Sequence, residues 1–161
     1  MRAKLHRAVV TQANVNYVGS ITLDPLLMRA AGLLPMEQVD VLNCANGNRL
    51  TTYCLEGREG SGEVGLNGAA ALLCRPKDVV LILAYAYLEG PEIAELESRT
   101  VLVGPGNRVG KVLRMKAAFA GPETGRKTAP KSRPKALSVR ETGRSASVRA
   151  GMARKLGGKS R

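Results

Sequence analysis

The chain has 161 residues, a formal net charge of +12, 44% hydrophobic and only 3% aromatic residues, and no Trp. That length suits one domain with a real core and leaves little room for a second, since single domains commonly run to about 100–150 residues. Residues 1–115 hold 12 Lys and Arg against 11 Asp and Glu, whereas 116–161 hold 13 against 2, so the basic charge belongs to the C-terminal stretch and a basic nucleic-acid-binding body is excluded.

In chain order, short β-branched segments alternate with turn signals. Strands are predicted at Ala8–Thr11, Ile21–Leu23, Gln38–Leu42, Arg49–Leu55, Val64–Leu66 and Val79–Tyr87, and six short strands predict a barrel or sandwich. Pro25–Ala31 reads as a short helix, with Asp24 as N-cap, Pro25 at the first helical position and Gly32 just past the end. Asn46-Gly47 lies between two strand runs, where a two-residue type I′ hairpin turn is expected to pair its flanks antiparallel. Asn67–Leu73 is a second, Ala-rich helical candidate and Pro91–Ser98 an acidic third.

From Gly121 onward Gly, Pro, Ser, Thr and basic residues dominate, with too few large apolar groups to offset the entropy of ordering. The organisation expected is therefore a β-rich domain over 1–115 and a basic tail over 116–161, mostly disordered. Cys44, Cys54 and Cys74 form no C-x-x-C pair, and His6 is the single histidine, so a metal site is not expected. The longest apolar run, Val79–Leu88, falls far short of the about 20 residues that span a bilayer. With no leader pattern at the N-terminus, a cytoplasmic protein without membrane contact is expected.

In isolation Gly19-Ser20 is an ordinary turn entering a strand. Its surroundings give it weight: KLHRAVVTQANVNYVGSITLD, followed by NGNRLTTYCLEGREGSGEVGLNGAAA. Over about residues 1–103 this order of segments resembles the pyruvoyl-dependent aspartate 1-decarboxylases. The resemblance implies a double-psi β-barrel assembled as a homotetramer, with sites between subunits. It also implies self-cleavage between Gly19 and Ser20, Ser20 becoming a covalent pyruvoyl group that condenses with L-aspartate as a Schiff base and releases CO2 and β-alanine for pantothenate synthesis.

The residue types suit that chemistry. Gly19 has no Cβ to block an approach to its carbonyl, and a Ser20 hydroxyl serves first as nucleophile and then, acylated, as leaving group. Thr52 matches the family position beside the cleavage site, and Tyr53 matches the proton donor. Being adjacent, Thr52 and Tyr53 face opposite sides of a regular strand, so both reach one site only where the strand bends or meets another subunit.

For a dicarboxylate, Arg49 offers a planar two-pronged grip on one carboxylate and Lys4 a charge for the other. The segment Asn67-Gly68-Ala69-Ala70 is the family's substrate-contacting stretch, its small side chains giving a ligand access to backbone N–H groups. Tyr17 and His6 are further candidates to line the site. Leu72 departs from the family, where histidine is frequent. A maturation helper protein is an open partner, and nucleic acid enters only as an alternative through the basic tail, where Phe119 alone offers an aromatic surface.

Overall fold

The computed structural model describes residues 1–116. The predicted boundary at 115 and 116 falls at the end of this stretch, and the reading of the tail as disordered lies outside the described residues. The nine strands are β1 (Ala3–Val9), β2 (Gln12–Asn14), β3 (Ile21–Leu23), β4 (Gln38–Asn43), β5 (Arg49–Glu56), β6 (Val64–Asn67), β7 (Val79–Ala84), β8 (Glu97–Val103) and β9 (Val109–Lys116). Two short helices, α1 (Pro25–Ala31) and α2 (Gly90–Glu95), and two 3-10 turns, at Gly68–Leu72 and Pro105–Asn107, complete the described fold.

The sheet runs β2-β6-β3-β5-β4-β7-β1-β8-β9. Because β1 and β2 are consecutive parts of one chain segment, the stretch from β2 to β1 returns on itself, and the fold is the mainly β, double-psi β-barrel expected. Closure joins elements far apart in sequence: β2 pairs parallel with β6, β3 parallel with β5 and antiparallel with β6, and β1 antiparallel with β7. The hairpin β8–β9 extends the sheet beyond the closed part, β8 running parallel to β1.

One bulge lets the first segment serve both ends of the ring. Ala3 and Leu5 are fully buried, and after Arg7, which stands at φ 65° where the β1–β7 register shifts, the buried residues become Ala8 and Val10. An extra residue in a strand moves the alternation by one place, so both halves of Ala3–Val10 present small and medium apolar groups to one core. Ile21, Leu23, Leu66, Val41, Ile82 and Val101 meet them there.

Helix α1 forms as predicted. The Asp24 carboxylate accepts from Leu26 N (2.9 Å), Pro25 opens the first turn, and Gly32 ends it at φ 77° with its N–H on the Arg29 carbonyl. Leu27, Met28 and Ala31 bury its inner face.

Three expectations need correction. The β4–β5 connection is an antiparallel hairpin, but with a longer turn over Cys44–Asn48 in which only Gly47 takes a positive φ (77°); Asn46 instead spends its side-chain oxygen on Asn48 N (2.9 Å). The acidic helix stops at Glu95, and Glu97–Val103 is a strand, because those residues pair on both sides with β1 and β9. The second candidate helix, Asn67–Leu73, is a 3-10 turn over Gly68–Leu72, preceded by Asn67 as the last residue of β6.

Candidate active site

Ser20 lies immediately before β3, buried to 3% exposure, next to the middle of β5. Three neighbours fix it. Its hydroxyl accepts from Tyr53 N (2.8 Å) and is in hydrogen-bond contact with the Thr52 hydroxyl, and its carbonyl accepts from Asn67 N (2.8 Å). These contacts follow from the fold, since β3 lies between β5 and β6 and therefore brings residues 20, 52–53 and 67 to one level.

Gly19 precedes Ser20 with little room around it: a Cβ there would come 3.1 Å from Leu55 Cδ1 and 3.3 Å from Tyr17 Cε1. Its carbonyl faces Gly68, which stands at φ 57° and whose Cβ, if present, would lie 3.3 Å from Gly19 O. A glycine at 68 thus meets two demands, a left-handed backbone and space beside that oxygen. Asn67 is 2% exposed and gives its side-chain amide to Thr22 Oγ1 (2.9 Å), tying the end of β6 to β3.

A cavity of about 270 Å³ opens here, lined by Gly19, Ser20, Thr52 and Tyr53 together with Asn67, Ala69 and Ala70. Leu50, Thr51 and Leu73, which sequence reasoning did not single out, also border it. Leu73 carries no chemical signature and is reached only through the turn of the 3-10 segment. Thr52 and Tyr53 both border this one cavity although they alternate along β5: Thr52 offers its hydroxyl, whereas Tyr53 reaches Ser20 through its backbone N–H, its residue being 39% exposed.

The remaining candidates, Tyr17, Arg49, Lys4 and His6, do not line this cavity in the single chain. Tyr17 is exposed beside Gly19. Arg49 opens β5 on the exposed face that Thr51 and Tyr53 share. Lys4 and His6 are on β1, three strand positions from β5. Register aligns them nonetheless: His6, Leu81, Leu42 and Arg49 are successive cross-strand partners, as are Lys4, Leu83, Asp40 and Thr51. At about 4.8 Å between strands the two ends of each row are about 14 Å apart. Burial lowers the His6 pKa, and Lys4 and Arg7 lower it further, so this imidazole is biased toward neutrality.

Cys54, next along β5, points into the core. Burial pushes its thiol up to about 12, with Glu37 adding to the rise against the opposing charge of Arg2, so it offers no competing thiolate at neutral pH. Among the described residues, no group of three His, Cys, Asp or Glu is placed to hold a metal ion. No described helix is long and apolar enough to cross a membrane.

A profile of the family described as aspartate decarboxylase matches residues 1–110. Among curated proteins, the chain is 50% identical over 112 residues to the aspartate 1-decarboxylase of Carboxydothermus hydrogenoformans, covering 70% of this chain and 88% of that protein. It is 49% identical over 110 residues to that of Neisseria meningitidis, covering 68% and 87%. With the aspartate 1-decarboxylase of Synechocystis the identity is 54% over 95 residues, covering 59% of this chain and 66% of that protein. A profile match over most of the chain, together with relatives at this identity, establishes that the chain belongs to the aspartate decarboxylase family.

Proposed function

We propose that the chain cleaves its own backbone between Gly19 and Ser20, converts Ser20 to a pyruvoyl group, and decarboxylates L-aspartate to β-alanine and CO2, which supplies pantothenate and coenzyme A synthesis. The observation that carries this reading is the hold on Ser20: a buried serine at a cavity wall whose hydroxyl meets both the Thr52 hydroxyl and the Tyr53 N–H. Relatives named aspartate 1-decarboxylase support the substrate.

In the cleavage, Ser20 Oγ bonds to the Gly19 carbonyl carbon as the C–N bond to Ser20 breaks, and the hydroxyl proton ends on the freed amine. The Thr52 hydroxyl stands where it can pass that proton or donate to the oxygen that becomes charged. The missing Cβ of Gly68 leaves that oxygen room to move as its carbon turns tetrahedral. Loss of the Ser20 Cα hydrogen then expels Gly19 as a carboxylate, and the resulting dehydroalanine takes up water and releases ammonia.

The surroundings of position 20 fit the product. A small carbonyl group there keeps the Thr52 hydroxyl and Tyr53 N–H as donors, and the Ala69 and Ala70 wall is open to a small substrate. A pyruvoyl group supplies a ketone that binds the substrate amine and draws electrons as CO2 leaves. Tyr53 Oη is the proton donor to the product carbon. Arg49 and Lys4 bind the substrate carboxylates, with the backbone of Ala69 and Ala70 beside them.

Arg49, Lys4 and His6 reach such a site from a neighbouring copy, in a homotetramer whose sites lie between subunits. The outer face of β1, β7, β4 and β5 supports this, because Leu42, Leu81 and Leu83 stand half-buried in the same rows as those charged groups. The free state of Cys44, Cys54 and Cys74 suits a reducing cytoplasm.

Denaturing mass spectrometry of the purified chain tests the cleavage. A fragment of residues 1–19 and a second beginning at position 20 with a pyruvoyl end are expected, with an uncleaved, inactive Ser20→Ala variant. CO2 release from labelled L-aspartate tests the reaction, and an active chain with an intact backbone overturns the reading.

A further inference from the structure

The carbonyl of Leu73, a residue that borders the cavity, accepts from three side-chain amides at the end of β4 and in the turn after it: Asn43 Nδ2 at 3.2 Å, and Asn46 Nδ2 and Asn48 Nδ2 at 3.3 Å each. Two of these amides are aimed by the turn itself. Asn43 Oδ1 accepts from Ala45 N (2.8 Å) and Asn46 Oδ1 from Asn48 N (2.9 Å), which leaves each NH2 facing Leu73. Asn43 is 3% exposed and also donates to Asp78 Oδ2 (2.7 Å), a carboxylate that the Arg75 N–H and the Asn43 amide hold below its ordinary pKa. The Leu73 N–H in turn donates to the Ala70 carbonyl (3.1 Å).

A continuous set of hydrogen bonds therefore runs from the hairpin turn, through Leu73, to Ala70. The turn leads into β5, which carries Thr52 and Tyr53, and Ala70 lines the same cavity from the 3-10 segment. We propose that Asn43, Asn46 and Asn48 are positioning residues that set the width of the cavity beside Ser20, and so the affinity for the substrate carboxylate, by gripping the Leu73 carbonyl. None of the three touches Ser20 or borders the cavity. Their effect is on where the Ala69–Ala70 backbone stands when substrate binds, and the cleavage contacts of Ser20 with Thr52, Tyr53 and Asn67 do not pass through them. The inference rests on the decarboxylase reading above.

Asn48→Ala is the clean probe, because the Asn48 side chain makes no other hydrogen bond among the described residues. Asn46→Ala/Asn48→Ala removes both exposed donors and spares the buried Asn43. With cleavage followed by mass spectrometry and turnover by CO2 release from L-aspartate, both variants are expected to be cleaved like the unmodified chain. KM should rise about threefold in the single variant and about tenfold in the double, with kcat within about twofold. A KM unchanged in both variants overturns the proposal, as does a loss of cleavage or a fall in kcat at constant KM, since a general structural role moves those instead. If the unmodified chain releases no CO2 from aspartate, the decarboxylase reading fails, and this inference with it; a chain that turns over normally while the variants keep its KM sinks this inference alone.

Discussion

In the proposed cleavage, two hydroxyls and a missing methyl carry the chemistry at the residue scale. Thr52→Val keeps the volume and branching of the side chain but removes the oxygen in contact with Ser20 Oγ. Cleavage between Gly19 and Ser20 is expected to slow by about 100-fold or more, as for removal of an oxyanion donor, read as the fraction of intact chain over time by mass spectrometry. Gly68→Ala places a Cβ 3.3 Å from Gly19 O on a backbone at φ 57°. It should cost about 1 kcal/mol or more in stability, measured by denaturant unfolding, and leave a larger share of the chain uncleaved. That Ser20, Thr52 and Tyr53 would come together was legible in the sequence through the resemblance of their surroundings. The Gly68 contact with Gly19 was not, because it arises from the pairing of β3 with β6, some 45 positions apart in register, and nothing local to either glycine announces the other.

Among the elements, α1 and the loop after β5 share one anchor. Asp24 caps α1 at Leu26 N and also accepts from Gly60 N (3.0 Å) and Gly62 N (2.7 Å). Burial pushes its carboxyl up, but the N–H groups of Gly62, Leu26 and Gly60, helped by Arg108, outweigh that and hold the pKa below its ordinary value of 3.8. A carboxyl whose pKa is lowered by folding stabilises the fold fully above its unfolded pKa, and that contribution is lost as pH falls through the folded value. Asp24→Asn is therefore expected to unfold more easily than the unmodified chain at pH 7, with the gap closing below about pH 4, checked by thermal unfolding across that range. The cap was readable because Asp-Pro ahead of an apolar run carries a local signal, and its second duty to the loop was hidden in long-range contacts. Strand β8 escaped for a related reason: Glu97-Ser98 reads as the end of an acidic helix, and only pairing with β1 and β9 makes Glu97–Val103 a strand.

For the whole molecule, the charge division matters most. Residues 1–115, with a net charge of +1, contain the entire described core, and the family match ends at residue 110. A chain ending after Lys116 is expected to keep its melting temperature within a few degrees, its cleavage and its aspartate turnover; a collapse of any of these would show that residues 117–161 serve the catalytic body. From the strand pattern alone barrel closure was only half legible, because six short strands imply a barrel or a sandwich equally; the family resemblance supplied the double-psi β-barrel, and the distinction lies in how one segment pairs at both ends.

That segment, Ala3–Asn14, carries a further consequence for a chain cut after Gly19. Residues 3–14, including Leu5, Ala8 and Val10 at full or near-full burial, form a stave of the barrel, in which β1 is hydrogen-bonded between β7 and β8 and β2 is hydrogen-bonded to β6. A peptide so placed cannot drift off as a leaving group without opening the barrel. A chain so cut would be a two-piece molecule sealed by its own interior, and the larger piece made alone would lack a wall until the missing peptide was supplied from outside.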